Sequence, residues 1–171
     1  MQELIAAIDS NIATGNWYSA LFVALSLPDV CGKIEYPERH GSQRNYADWF
    51  NRFVADRYTH RVGAGAREVV FLSGNDCYAL RCAYLHEGSD DVTRQRAREA
   101  VDKFHFIVAP HGCTIHCNMM DTKLQLQVDI FCRDIRDGVI EWLASIEGHR
   151  TKRQATQQLL LTFPPQLEPQ V

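Results

Sequence analysis

The chain has 171 residues, is 46% apolar and 23% charged, and carries a net charge of −3. That balance suits one domain with its own core and excludes a global basic field drawing the chain to nucleic acid, so any RNA contact needs a local basic patch. No apolar run reaches the roughly 18 residues of a membrane span. The opening MQELIAAIDSNI carries acids and no basic leader region, so no signal peptide is expected and the expected location is cytoplasmic. Of the six Cys, Cys77, Cys82 and Cys132 fall on predicted helices, where they are expected as buried free thiols rather than a disulfide framework.

Leu4, Ile5, Ile8 and Ile12 share one face at helical spacing, and Gly15 ends that helix. Asn16 caps the next, whose stripe of Trp17, Ala20, Leu21, Ala24 and Leu25 is expected to break at Pro28, with one more short turn to Gly32. Lys33 to Gly41 reads as a loop. Ser42 opens an amphipathic helix with Tyr46, Trp49, Phe50, Phe53 and Val54 on its core face. Thr59 to Arg67, with Gly63 and Gly65, reads as a second loop.

From Leu72 to Ser89 the sequence LSGNDCYALRCAYLHEGS starts and stops like a helix. Ser73 is the N-cap, Asp76 takes the capping-box position, and Gly88 suits the left-handed residue at the end. Tyr78, Ala79, Leu80, Cys82, Ala83, Tyr84 and Leu85 make it apolar on nearly every side, the mark of a buried helix. Arg81 and His86 are the exceptions. A buried Arg must be paired or line a cavity. As structural residues, Arg81 would pair with Asp76, Asp48 or Glu87, and His86 would cap the last carbonyls.

A polar turn follows, then Arg94, Arg96, Arg98 and Lys103, which make either a solvated face or a phosphate-tracking patch. Lys103 to Ala109 alternates as a strand, Pro110 to Gly112 turns, and Cys113 to Met119 returns, giving a β-hairpin. Asp121 caps a long final helix carrying Leu124, Val128, Phe131, Cys132, Ile135, Val139, Trp142, Leu143 and Ile146, which Gly148 ends. The residues thus predict a mainly α fold, an up-down bundle of four or five helices with an inserted β-hairpin. Residues 1–148 form the domain and 149–171 a C-terminal tail, mobile or docked on a partner through Leu159, Leu160, Leu161 and Phe163.

Arg81 and His86, separated by four residues near a helix end, resemble the motif of the HEPN superfamily, all-helical domains whose ribonuclease members carry Arg, four to six residues, then His. YALRCAYLHEGS, FHFIVAP and LQLQVDIFCRDI are similar to a bacterial branch of that superfamily, over roughly residues 15 to 147. The resemblance implies a HEPN-like bundle that pairs as a homodimer, and a metal-independent endoribonuclease without cofactor, acting in phage defence or a toxin–antitoxin system with an antitoxin or defence protein as partner. Arg81 and His86 are then the catalytic pair. Asn75, Asp76, Tyr78, Tyr84, Arg94, Arg96 and Arg98 are candidates to orient the Arg or hold RNA. Arg98 and His105 repeat the motif with a six-residue gap, but straddle a predicted helix-to-strand change.

The chemistry suits these residue types. RNA supplies its own nucleophile, the 2′-hydroxyl. Cleavage then needs a base, an acid and a cation for the phosphorane; His serves either proton role near neutrality, and the Arg fork suits phosphate oxygens. Cys82 stands where catalytic members often carry a polar residue. Together with the acidic net charge, it favours the alternative of a non-catalytic HEPN-like homodimer that binds RNA or a partner protein. His111, Cys113, His116 and Cys117 are zinc-ligand types, but His116 and Cys117 are adjacent and would face opposite sides of a strand, so no metal is expected.

Overall fold

The computed structural model describes residues 1–85, 99–100 and 102–159. Six α-helices are described, with a 3-10 turn and two small sheets. Helix α1 (Gln2–Ala13) buries Ile5 and Ile8. It ends in a Schellman arrangement: Gly15 adopts φ +68°, the Asn16 N–H reaches Asn11 O at 2.8 Å and the Gly15 N–H reaches Ile12 O at 3.1 Å.

Helix α2 (Trp17–Glu35) is the central element, touching α1 and the four other helices described below. It does not break at Pro28, against expectation. Proline costs the helix one backbone bond, to the Ala24 carbonyl, and two hydroxyls bond the carbonyls on either side of it. Ser26 Oγ donates to Val23 O at 2.8 Å and Tyr46 OH donates to Leu25 O at 3.1 Å. Gly32 lets α3 (Ser42–Phe53) approach closely, since a Cβ at that position would lie 2.6 Å from Asn45 O.

The core lies between α2, α3 and α5 (Val128–Ser145), where Trp49 and Trp142 are fully buried and meet edge to face at 6.5 Å. Trp142 Nε1 donates to Glu35 Oε2 at 2.9 Å, and the same carboxylate binds Arg52 at 3.1 Å and Lys152 at 2.8 Å. Burial alone would raise the Glu35 pKa; these donors and charges outweigh it and hold it below the usual range. Glu35 thereby ties α2 to α3, to α5 and to α6 (Arg150–Gln157). The expected tail therefore begins as a helix packed on the body; residues 160–171 lie outside the described residues.

The 3-10 turn Ala55–Tyr58 leads into β1 (Thr59–Val62), which pairs antiparallel with β2 (Arg67–Val70) where a loop was expected. Thr59, Val62, Val69 and Val70 are the β-favouring residues flanking the Gly-Ala tip, and that signal outweighs the glycines. Helix α4 (Gly74–Leu85) follows.

The second sheet corrects the expected hairpin. Strand β3 (Phe104–Ile107) is present, but it pairs in parallel with β5 (Lys123–Gln127), and of the expected return strand Cys113 to Met119 only Asn118 and Met119 fall in β4 (Asn118–Met120). The hairpin is β4–β5, turning at Asp121, whose φ is +56°. Positive φ at Cys117 (+51°) interrupts the expected strand. Lys123 to Gln127 was expected as the first turn of the last helix. Its period is two: Leu124 and Leu126 are buried on one side, while Lys123 and Gln125 are less so. No helix among the described residues is long and apolar enough to cross a membrane.

Candidate functional site

Helix α4 is set by its first turn. Ser73 Oγ accepts the Asp76 N–H at 3.2 Å, and the Ser73 N–H and hydroxyl donate to Asp76 Oδ2 at 3.1 and 2.7 Å, the expected capping box. Asn51 Oδ1 accepts the Gly74 N–H at 2.8 Å, tying α4 to α3. Gly74 sits against the Ala47 backbone, where a Cβ has no room.

Arg81 lies one turn before Leu85, the last described residue of α4. Its Nε is 2.7 Å from Asp29 Oδ2, and the two side chains are 19% and 21% exposed. None of the expected partners is the one found. Asp76 is in the capping box and 3.1 Å from Lys103, Asp48 pairs with Arg39 at 2.6 Å, and Glu87 lies outside the described residues. Burial alone would lower the Arg81 pKa; the Asp29 carboxylate and the Cys82 side chain outweigh it, so the net direction is upward and the charge is secure.

Asp29 is available because α2 continues through Pro28. A helix broken there, as expected from the sequence, would have left Asp29 in a turn. The contact is therefore a direct consequence of the uninterrupted helix.

Tyr78, one turn before Arg81, places its ring centroid 5.9 Å from the guanidinium carbon and shares a hydroxyl contact of 3.2 Å with Ser42. Beneath it Tyr46 packs edge to face at 5.4 Å and contacts Cys77 Sγ at 3.3 Å. Burial pushes the Tyr46 phenol well above its ordinary range and the Cys77 thiol up to about 12. Neither is an ionisable nucleophile at neutral pH.

The other candidates are spread out. Asn75 accepts a bond from Gln43 at 3.2 Å and, with Asp76, sits at the N-terminal end of α4, about 9 Å along the axis from Arg81. Neither orients the Arg, as was expected; Asp29 does. Tyr84 packs edge to face on Phe106 at 5.3 Å, a core contact. His86, Arg94, Arg96 and Arg98 lie outside the described residues.

A second polar cluster went unread in the sequence. Asp134 of α5 accepts the Tyr58 hydroxyl at 2.8 Å, with Arg57 Nε at 3.8 Å and His116 Nε2 at 3.7 Å. Arg57 also pairs with Glu141. Burial raises the Asp134 pKa despite Tyr58 and Arg57, and lowers that of His116 despite Asp129. Cys117 beside them is pushed up to about 11 by burial and then by Asp134. Four positions between 57 and 134 converge here without a local motif, so no sequence spacing announces them. Among the described residues no group of three His, Cys, Asp or Glu comes together to hold a metal ion.

Comparison with protein-family models, curated proteins and solved structures finds no match for this chain.

Proposed function

We propose that the chain is a HEPN-type, metal-independent endoribonuclease whose active centre is the C-terminal end of α4, with Arg81 stabilising the phosphorane and His86 moving the protons. The observation supporting this reading is the Arg81–Asp29 pair. The ion pair restrains a long flexible side chain, so the guanidinium has a set orientation rather than being a mobile surface charge. Asp29 is a positioning residue in this scheme.

Arg81 and His86 are five positions apart, about 140° around an ideal helix. On such a helix one copy would not align them on one face. A two-fold dimer sets two Arg and two His about a single cleft, so one His acts as base and the other as acid. The biological setting we propose is cytoplasmic phage defence or a toxin–antitoxin pair, in which a partner protein restrains the activity.

The test is cleavage of RNA in EDTA. A 2′-hydroxyl mechanism leaves 2′,3′-cyclic phosphate ends and spares DNA. Light scattering checks the dimer; a monomer at micromolar concentration, with no concentration dependence, removes the shared cleft.

One observation favours a second reading. Pairing with Asp29 neutralises the Arg81 charge, and the chain's net charge is −3. A non-catalytic HEPN-like homodimer that binds RNA or a partner protein is consistent with both. Absence of RNA cleavage together with a stable dimer selects it.

A further inference from the structure

The loop between β3 and β4 is tied to the start of α5 through one residue, Gln127. The Ile115 N–H donates to Gln127 Oε1 at 2.8 Å, and the Gln127 N–H donates to His116 Nδ1 at 3.2 Å. A backbone N–H can only donate. Nδ1 must therefore be the acceptor, and the imidazole must be neutral with its proton on Nε2. The Gln127 amide is oriented by the same logic, because its Nε2 donates to the Asp129 carboxylate at 2.8 Å and leaves Oε1 for Ile115. Gln127 is one of the two buried polar residues among the described ones.

The His116 side chain is 12% exposed and its ring centroid lies 5.5 Å from that of Tyr58. The charged and titratable groups around it come from each neighbouring element. They are Asp134 and Asp129 on α5, Arg57 and Tyr58 on the 3-10 turn, His60 on β1, and Cys117 next in the chain. Burial opposes charging of the ring and outweighs the pull of Asp129, while His60 adds to the opposition.

We propose that His116 is an acid-released latch on the loop of residues 108–117. Uptake of a proton at Nδ1 puts an N–H opposite the Gln127 N–H. Two donors then face each other and the hydrogen bond is lost. The imidazolium keeps the attraction of Asp129 and, on its Nε2 side, of the Asp134 carboxylate at 3.7 Å, neither of which restores an acceptor for the Gln127 N–H. The loop this frees is not idle surface. Its residues Val108, His111 and Cys113 wall a cavity of about 240 Å³ together with Trp17, Gln127 and Asp129. Release of the latch reshapes the mouth of that cavity, so its shape depends on pH.

Two measurements test this. Nitrogen NMR of the imidazole at about pH 7.5 is expected to show the proton on Nε2; a ring protonated on Nδ1 overturns the latch. Hydrogen exchange is then compared at about pH 7.5 and pH 5 in wild type and His116→Asn, whose side-chain oxygen takes the place of Nδ1 and does not titrate. The protection factor of the Gln127 amide is expected to fall in wild type, approaching about tenfold per pH unit below the His116 pKa, and to stay level in the variant. An equal fall in both, or no fall in wild type, overturns the proposal. Should His116→Asn not fold, the wild-type tautomer and exchange data decide alone.

Discussion

The two polar clusters are built from similar parts and differ in what holds them. Under α4, Arg81 and Asp29 form a charge pair in which the cation never titrates, and the neighbouring Tyr46 and Cys77 are held neutral by burial. Beside α5, Tyr58 is likewise held neutral by burial, but Asp134 and His116 are shifted toward each other, with burial pushing the acid up and the imidazole down. The first cluster spends its polarity on holding one guanidinium still; the second leaves its charges open to the pH of the surroundings. Orientation and response are thus assigned to different parts of one small fold.

Removing the cation should separate the clusters most sharply. Arg81→Ala leaves the Asp29 carboxylate without its ion-pair partner and is expected to cost about 2–3 kcal/mol. This is less than a fully buried pair because both groups keep about a fifth of their surface. Chemical denaturation measures it. Asp134→Asn is the matched change in the second cluster and should cost under about 1 kcal/mol, since the amide oxygen still accepts from Tyr58 and Arg57 keeps Glu141. Equal costs for the two variants would erase the distinction.

Between them falls the cap. Ser73→Ala should cost about 1 kcal/mol by losing the acceptor for the Asp76 N–H. This variant also tests legibility, because the capping box was plain in the sequence. Ser73, Asp76 and the apolar stretch to Leu85 are local signals, and local signals specify a helix start wherever the helix ends up packing. Arg81 stood out for the same reason.

Its partner did not. Asp29 lies 52 positions earlier, and a proline rule misdirected the reading by ending the helix at Pro28. The rule lost because proline removes only one N–H from the helix, while burial of Leu25, Leu27, Pro28 and Cys31 against the core holds the helix through it, a tertiary effect no window around residue 28 displays. Lys123 to Gln127 failed differently. Leu124 and Val128 fit a helical spacing, while Leu124 and Leu126 fit a strand, and pairing on both sides by β3 and β4 decided between them. The His116–Asp134–Tyr58 cluster has no local signature, and sequence reading weighed His116 only as a zinc ligand.

The smallest expected effect is the pH dependence, and its sign differs between groups. His116 has a folded-state pKa below the ordinary value near 6.5. Its contribution to stability is present above that value and lost as pH falls through the folded-state one. Glu35 and Asp129 are also lowered, so their contributions are lost only in the more acidic range, below the ordinary carboxylate values. Asp134 is raised and works in the opposite sense, gaining as pH falls. Thermal melts of wild type should decline in two steps, and His116→Asn should lack the first.

Activity is the direct test of which cluster is the functional centre. Wild type, His86→Ala and His116→Asn, matched for folded fraction by circular dichroism, are incubated with single-stranded RNA in EDTA and the ends of the products identified. The predicted result is that wild type and His116→Asn leave 2′,3′-cyclic phosphate ends while His86→Ala cuts nothing. Cleavage by His86→Ala at the wild-type rate, or none by wild type, would contradict an endoribonuclease centred on Arg81 and His86; in the first case Arg98 and His105 become the pair to replace.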